Sequence, residues 1–390
     1  MSKTYLSYNN ILSNLGFNSE AVVDNISNKI SGVQKINDQL LLPENFYASM
    51  IPSEELTKKF KEISDPSRYT KLEQMMILSL KEVIEASKVT IDDKVGLIVS
   101  TTKGNIDVLE NSSDFPESRS YLSELGKSIQ EYFNFENEAV VVSNACVSGV
   151  LAISVAKRFI SAGKYKHVFI VSGDLVTKFI VSGFNSFQAL SAEPCKPYDS
   201  SRVGINLGEA AASVLVTSED KNLAEEAVEI LGDATCNDAN HISGPSRTGE
   251  GLYRSVRSAL KEAKIDGLEI DYISAHGTAT SFNDEMEAIA FSRLGMENIP
   301  LNSLKGYFGH TLGASGLLET IVGMHSLKRN TLFISKGYKK HGVSKPLNII
   351  SQNKTETLNV FLKTASGFGG CNTAVIFKKQ SINQPYNANN

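Results

Sequence analysis

The sequence predicts an α/β fold built from two similar halves, because strand-like apolar runs alternate with helix-like segments and the alternation resumes after residue 220. In the first half, the segments are strand-like at residues 94–100, 137–145 and 167–174 and helix-like at residues 71–87 and 147–161. Parallel strands joined by crossover helices produce an alternation of this kind.

The second half repeats the alternation and ends in two adjacent strand-like segments. Its segments are strand-like at residues 226–236, 271–279, 358–366 and 372–379 and helix-like at residues 251–264, 284–295 and 314–330. The halves share no visible sequence identity, and heptads and repeat periods are absent. We expect an N-terminal half over residues 1–220 and a C-terminal half over residues 221–390.

Composition and charge exclude several classes of protein. The 390 residues are 41% hydrophobic, which suffices for sizeable cores, and 39 basic residues nearly balance 43 acidic ones. A net charge of −4 does not indicate a surface for nucleic acid or anionic membranes. The first ten residues lack an apolar signal core, and no apolar run reaches the roughly 18 residues of a membrane span. We therefore expect a cytoplasmic protein.

Cys146 follows a β-branched apolar run and immediately precedes a helix-like pattern. The unpaired N–H groups and dipole of a helix start favour an anion, so this position favours a nucleophilic thiolate. The alternative is a small buried hydrophobic residue, and we expect that role for the three remaining cysteines. No C-x-x-C pair occurs, so neither a disulfide framework nor a zinc site is indicated, and no metal is expected.

Two histidines also lie where a strand pattern ends. His276 follows an apolar strand and precedes the acidic residues Asp284 and Glu287, while His310 lies in a glycine-rich loop that leads into a helix, five residues after Lys305. Functional groups in open α/β sheets gather at the carboxyl ends of strands, so the cysteine and both histidines could converge there. A structural or solvent role is the alternative for either histidine alone.

Six motifs occur in order along the chain and together resemble a known family. They are NACVSGV (144–150), KPYDSSRVGINLGEAAA (196–212), NDANHISGP (237–245), AHGTATSFNDEMEA (275–288), KGYFGHTLGASG (305–316) and GFGGCNTAV (367–375). With these motifs the chain resembles the β-ketoacyl-acyl carrier protein synthases of thiolase fold, in their elongating Cys-His-His group. Departures that leave chain length and pathway open occur at Val147, Val203, Ala210 and Ala212.

The resemblance implies a thiolase-like fold, with two similar α/β halves in a five-layered αβαβα arrangement. It also implies a decarboxylative Claisen condensation of an acyl thioester with malonyl-acyl carrier protein, in fatty acid, polyene or polyketide elongation. The substrates would be carried on the phosphopantetheine of acyl carrier protein, and no resident cofactor is expected. Acyl carrier protein is the expected partner, with a homodimer or a heterodimer containing a ketosynthase-like subunit.

The resemblance also assigns roles to the site residues. Cys146 would accept the acyl group, and the backbone N–H groups of Cys146 and Phe368 would form an oxyanion hole. His276 and His310 would each donate an N–H to the enolate oxygen left when malonate loses carbon dioxide. Lys305, paired with Glu287, would hold this group of residues together and supply positive charge.

Further residues receive less specific roles. By resemblance, Thr278 and Thr280 would contact the pantetheine arm, and Phe184, Phe187 and Phe368 would gate the acyl pocket. Loop hydrogen bonding and core packing are the alternatives for these residues. Carrier-protein docking is expected from two basic residues at a helix start, Arg68 and Lys71, unless they only form a solvated face.

Three alternative functions are considered, and a residue of this sequence argues against each of them. A thiolase shares the fold, but its chemistry needs a second cysteine before the terminal glycines, whereas Cys371 follows them. A starter-type synthase usually carries asparagine where His310 stands. A non-catalytic, chain-length-determining subunit lacks the active cysteine, which this chain retains as Cys146.

Overall fold

The computed structural model describes residues 3–110, 113–238 and 244–380. Residues 239–243, which form the centre of the motif at 237–245, lie outside the described residues. Over the described ranges the strands are β1 (Tyr5–Ser13), β2 (Gln34–Ile36), β3 (Phe46–Ser49), β4 (Val95–Ser100), β5 (Val140–Val142), β6 (His167–Asp174), β7 (Leu207–Gly208), β8 (Ala210–Thr217), β9 (Val228–Asn237), β10 (Tyr272–Ser274), β11 (Leu301–Asn302), β12 (Thr331–Leu332), β13 (Lys354–Thr355), β14 (Val360–Gly367) and β15 (Cys371–Lys379).

The same described ranges contain ten α-helices. They are α1 (Ser19–Ser27), α2 (Ser53–Phe60), α3 (Lys71–Ser87), α4 (Leu122–Phe133), α5 (Ser148–Ser161), α6 (Lys178–Ser186), α7 (Glu250–Ala263), α8 (Ser281–Arg293), α9 (Lys305–Phe308) and α10 (Ser315–Arg329). In the described part of the chain, every helix is too short or too polar to cross a membrane.

Ten strands form one continuous sheet in the order β11-β10-β14-β15-β9-β1-β8-β6-β4-β5. Five of these strands precede residue 220 and five follow it, and the two groups meet where β1 pairs briefly with β9. The predicted domain boundary at residue 220 falls between β8 and β9, and it stays a prediction.

The two groups of five strands follow the same pattern of directions. In the first group, β4 pairs in parallel with β5 and β6, and β8 pairs antiparallel with β6 and β1. In the second, β10 pairs in parallel with β11 and β14, and β15 pairs antiparallel with β14 and β9. The expected pair of similar α/β halves is confirmed, and each half contributes five strands to the sheet.

Alternating side chains on the strands create separate cores on the two faces of each sheet. On β6, Val168 and Ile170 join the core that contains α5 and α10, whereas Phe169 and Val171 join the core beneath α3. On β14, Phe361 faces the same central core. Helices α7 and α8 cover the outer face of the second group. The layers therefore run helix, sheet, helix, sheet, helix.

Helices α5 and α10 of the central layer approach each other closely at two glycines. A Cβ atom added to Gly149 would lie 2.7 Å from both the Gly313 oxygen and the Leu317 nitrogen, and one added to Gly316 would lie 2.7 Å from the Val150 nitrogen. Because these glycines lie in the first turns of their helices, the contact holds the two helix starts side by side.

Two structural features near these helix starts lie outside the predicted segments. Helix α6 and the small sheet β2-β3-β7 pack around a fourth apolar cluster, which includes Val176, Ile180 and Leu312 and is contacted by Phe184. The sequence pattern missed the small sheet because β2, β3 and β7 contain only two to four residues each, too few to show a period.

Replacing Gly149 with alanine tests the helix contact. We expect Gly149→Ala to lower the free energy of unfolding by about 1–3 kcal/mol, because the new methyl group overlaps backbone atoms that cannot rotate away. Urea titration followed by circular dichroism measures this change. Gly183→Ala in α6 is the matched control, since a Cβ there meets no atom within 4 Å. Equal stability of the two variants would contradict the close contact.

Candidate active site

Cys146 lies in a tight turn between β5 and α5. The Ser148 hydroxyl accepts a hydrogen bond from the Asn144 N–H (2.8 Å) and donates one to the Ala145 carbonyl (2.6 Å), which closes the turn. Ala145 takes a left-handed conformation with φ of 44°. The turn therefore fixes the backbone of Cys146, whose side chain is 7% exposed.

His310 is held beside Cys146, with its Nε2 3.1 Å from the Cys146 Sγ. The other ring nitrogen, Nδ1, accepts a hydrogen bond from the Leu312 N–H (3.3 Å) and lies 3.0 Å from the Ser315 hydroxyl. Because a neutral imidazole carries one proton, an accepting Nδ1 places that proton on Nε2. His310 is therefore arranged to donate an N–H toward the sulfur and the space around it.

His276 completes a cluster with these two residues. Its ring lies 5.2 Å from the His310 ring at an interplanar angle of 81°. One ligand-type atom from each of the three side chains lies within 4.8 Å of the other two. The Nδ1 of His276 is buried and lacks a hydrogen-bond partner among the described residues. The structure therefore brings together the three groups that the motifs single out, although they are far apart in sequence.

Burial determines the charge states of this cluster. It raises the pKa of the Cys146 thiol to about 12, and it lowers the pKa values of His276 and His310 well below the ordinary value, with a further contribution from Lys305. The site at rest thus holds a thiol and two neutral imidazoles. Burial of the sulfur therefore opposes the thiolate that the helix start favours, because burying a charge is costly.

Lys305 does not pair with Glu287 as expected. Its Nζ lies 2.5 Å from Glu319 Oε1, and both side chains are almost fully buried. Glu319 lies on α10, close to the helix start that follows His310. Glu287 and Glu319 both lie on a helix that follows a histidine motif. Because their local settings are alike, the sequence could not show which of the two acids binds Lys305.

Glu287 instead binds the backbone of the His276 loop. Its carboxylate accepts hydrogen bonds from the N–H groups of His276 (2.8 Å) and Gly277 (2.7 Å) and from the Tyr198 hydroxyl (2.9 Å). Asp284 accepts the Thr278 N–H (3.0 Å) in the same way, and burial raises its pKa to about 7. Both acids therefore fix the loop that carries His276.

Lys363, which the motifs do not include, is a second buried lysine in this region. It lies on β14, and its Nζ is 2.5 Å from Glu319 Oε2. Glu319 is therefore shared between Lys305 and Lys363. The only sequence signal was a lysine interrupting the apolar run VFLKTAS, where charge is rare in a buried strand.

The GFGG turn approaches the cysteine from the other half of the chain. A Cβ added to Gly367 would lie 3.0 Å from the Cys146 nitrogen and 2.9 Å from the Cys371 sulfur, so glycine is what lets the turn approach this closely. Burial raises the pKa of the Cys146 thiol, and the nearby Phe368 N–H opposes part of that rise. The backbone N–H groups of Cys146 and Phe368 are thus near the sulfur, where the expected oxyanion hole would be.

Three phenylalanines surround the same space. The ring of Phe368 stacks on Phe184 at 5.7 Å and meets the edge of Phe187 at 5.4 Å. Phe184 also lies 6.5 Å from the His310 ring. Phe187 is 54% exposed and Phe368 is 38% exposed, so this aromatic group lies between the buried cluster and solvent.

The remaining expected residues differ in how well they fit their roles. Thr278 and Thr280 lie together, with their hydroxyl oxygens 2.8 Å apart in the loop after His276. Arg68 is exposed and available to a partner. Lys71, in contrast, lies 2.5 Å from the buried carboxylate of Glu209, an internal ion pair that does not fit the expected docking role.

Comparison with known proteins shows which families and proteins this sequence resembles. The family model "Beta-ketoacyl synthase, N-terminal domain" matches residues 13–222, and "Beta-ketoacyl synthase, C-terminal domain" matches residues 227–338. The chain is 32% identical to 3-oxoacyl-(acyl-carrier-protein) synthase 2 of Rhizobium meliloti, over 65% of this chain and 63% of that protein. It is 29% identical to a putative mitochondrial 3-oxoacyl-(acyl-carrier-protein) synthase of Schizosaccharomyces pombe, over 64% of each.

A solved structure agrees over nearly the whole chain. The ketosynthase ApeO in complex with its chain length factor ApeC, from Xenorhabdus doucetiae, matches with a TM-score of 0.85 and 24% identity, covering 97% of this chain and 98% of that one. The expected thiolase-like fold is confirmed by this likeness. Since one family model alone covers more than half of the 390 residues, the chain belongs to the β-ketoacyl synthase family.

Proposed function

We propose that this protein is a β-ketoacyl-acyl carrier protein synthase, an acyltransferase that joins an acyl thioester to malonyl-acyl carrier protein with loss of carbon dioxide. The observation that carries the proposal is the buried cluster in which the Nε2–H of His310 faces the Cys146 sulfur at 3.1 Å, with His276 alongside. A thiol nucleophile and two neutral N–H donors are the groups that this reaction requires.

In the first step, the Cys146 sulfur attacks the carbonyl carbon of an acyl-pantetheine thioester. The bond from that carbon to the pantetheine sulfur breaks, and the proton of the Cys146 thiol ends on the departing pantetheine thiol. The Nε2–H of His310 faces the sulfur at 3.1 Å, so it stabilises negative charge as it develops there, and the Phe368 N–H also favours the charged sulfur. The start of α5 adds a favourable dipole.

The tetrahedral oxyanion of this step needs donors that are already in place. The backbone N–H groups of Cys146 and Phe368 are suited to this role, because the turn at Ser148 and the glycine contact at Gly367 hold both peptides close to the sulfur. Donors fixed before the reaction do not have to reorient as charge forms, and this is the source of their catalytic effect.

In the second step, a malonyl thioester loses carbon dioxide. The electron pair of the broken carbon–carbon bond forms an enolate, whose oxygen accepts hydrogen bonds from His276 and His310. The enolate carbon then attacks the Cys146 thioester, a carbon–carbon bond forms, and Cys146 leaves as a thiolate that takes up one proton. Both imidazoles are neutral at rest, so each can donate one N–H without first losing a proton.

The charged residues around the histidines act through position. The pair of Lys305 and Glu319 replaces the expected pair of Lys305 and Glu287 and supplies positive charge beside His310. Glu287 positions His276 through its backbone. Thr278 and Thr280 are proposed to contact the pantetheine arm, and the three phenylalanines are proposed to gate the acyl pocket.

The proposed partners follow from the substrates and from a related complex. Acyl carrier protein would deliver both thioesters, with Arg68 as one contact. The likeness to a ketosynthase bound to a chain length factor supports a second ketosynthase-like subunit, either another copy of this chain or a related one. We propose a cytoplasmic location and no resident cofactor. The intact Cys146 cluster favours a catalytic role over that of a silent chain-length subunit.

The first experiment tests the nucleophile. Incubation with acyl carrier protein bearing a panel of acyl chains should add one acyl mass to the peptide that contains Cys146, and Cys146→Ala should abolish the addition. Intact-protein and peptide mass spectrometry measure the transfer. Cys236→Ala, which removes a thiol outside the site, is the control and should be acylated like the wild type. Acylation at another residue would contradict the assignment.

A second experiment separates the histidine role from acylation. His310→Ala should still form acyl-Cys146, more slowly because a donor to the sulfur is lost, but it should release carbon dioxide from malonyl-acyl carrier protein roughly a hundred- to a thousand-fold more slowly, because one enolate donor is lost. Release of labelled carbon dioxide measures the rate. His341→Ala changes an exposed histidine and serves as the control. Normal release by His310→Ala would refute the enolate role.

A third experiment tests the charge state of the thiol. With a pKa of about 12, the alkylation rate of Cys146 by iodoacetamide should rise about tenfold for each pH unit between pH 7 and 10 without levelling off, because only the thiolate reacts. Timed alkylation with mass detection gives the rate, and Cys146→Ala gives the background from other thiols. A plateau below pH 8 would show that the resting group is already a thiolate.

A further inference from the structure

Lys363 places a charged group in the interior of the large sheet. It lies on β14, between β10 and β15, and its side chain is fully buried. An ammonium group in such a place is costly unless hydrogen-bond acceptors surround it. The partners of Lys363 therefore indicate what the residue stabilises.

Each of the three N–H donors of the ammonium group has an acceptor. Its Nζ lies 2.5 Å from Glu319 Oε2, 3.2 Å from the Ser274 carbonyl and 3.3 Å from the Ala275 carbonyl. Ser274 is the last residue of β10, and Ala275 immediately precedes His276. Lys363 therefore holds the chain at the point where the strand ends and the histidine loop begins.

The same short segment is held from its other side by Glu287. The Lys363 ammonium donates to carbonyls just before His276, and the Glu287 carboxylate accepts the N–H groups of His276 and Gly277. Two buried side chains of opposite charge thus bind consecutive peptide groups around one histidine. Such an arrangement fixes the direction of the imidazole more closely than a strand end alone.

Glu319 connects this arrangement to the other histidine. Its carboxylate binds Lys363 through one oxygen and Lys305 through the other, and it lies on α10, the helix that follows His310. The positive charge of Lys363 also contributes to the lowered pKa values of both histidines, behind burial and Lys305. The positions of His276 and His310 are thereby linked through one chain of buried ion pairs.

We propose that Lys363 is a positioning residue that aligns His276 with His310 for the decarboxylation step. This inference rests on the proposed function, and it goes beyond it by adding a residue outside the motifs. Lys363 does not touch the reacting atoms. Its loss should therefore affect the step that needs two aligned N–H donors and spare the acylation of Cys146.

The test compares Lys363→Met with Lys157→Met. Lys157 is also a largely buried lysine with two carboxylate partners, Asp233 and Glu262, both at 2.8 Å, but it lies away from the site. We expect Lys363→Met to lower kcat for carbon dioxide release by about tenfold to a hundredfold, with KM for malonyl-acyl carrier protein and the acylation rate within about threefold of wild type. Lys157→Met should leave kcat within about threefold of wild type.

Equal losses in acylation and decarboxylation, or no loss in either, would overturn the proposal, because a purely structural role lowers both together. If Lys363→Met does not fold, Lys363→Gln takes its place, since its amide still donates to a carbonyl. The same selective loss, of smaller size, is then expected, and wild-type kcat in Lys363→Gln would overturn the proposal.

A spectroscopic measurement makes this test independent of the proposed function. In protein with labelled histidine rings, the His276 signal, assigned by its absence in His276→Ala, should shift in Lys363→Met and stay in place in Lys157→Met. An unchanged signal in Lys363→Met would overturn the positioning role. If the wild-type protein releases no carbon dioxide, the proposed function is contradicted. The His276 ring signal would then be the sole test of whether Lys363 positions His276.

Discussion

The close crossing of α5 and α10 is the constraint on which the site depends. Each helix begins shortly after a reactive side chain: α5 begins two residues after Cys146, and α10 begins five residues after His310. Because the helices touch through glycine in their first turns, the two starts cannot separate without opening the central layer. The fold thus converts a packing contact between two halves of the chain into the 3.1 Å distance between a sulfur and an imidazole nitrogen.

A group of buried charged side chains is the second feature that organises the site. These side chains surround the reacting groups without touching the reacting atoms. Lys305, Lys363, Glu319 and Glu287 are all removed from solvent, and each binds either another member of the group or the backbone beside His276. Burial, with a smaller contribution from the two lysines, lowers the pKa values of both imidazoles and so favours their neutral form. Charges that would be expensive alone are balanced within the group, so the site retains a strong local field and still excludes water.

The sequence predicted the parts of this molecule that local pattern determines. Residues adjacent in sequence are enough to recognise the alternation of strands and helices. They are also enough to recognise the motifs at Cys146, His276 and His310. The acid that binds Lys305 could not be chosen in the same way, since Glu287 and Glu319 differ only in where their helices pack. Lys363 was hidden in an apolar strand pattern, and the high pKa of Cys146 follows from burial, which arises only when both halves are assembled.

The protonated state of the buried Cys146 thiol has a consequence for the protein between turnovers. Peroxides and other oxidants attack thiolates much faster than thiols, so a cysteine held as a thiol is converted to sulfenic acid more slowly. The same burial that delays deprotonation until a thioester arrives therefore protects the nucleophile from oxidative inactivation while it is idle. The Cys146 sulfur therefore becomes nucleophilic only when a bound thioester supplies the pantetheine sulfur that accepts its proton.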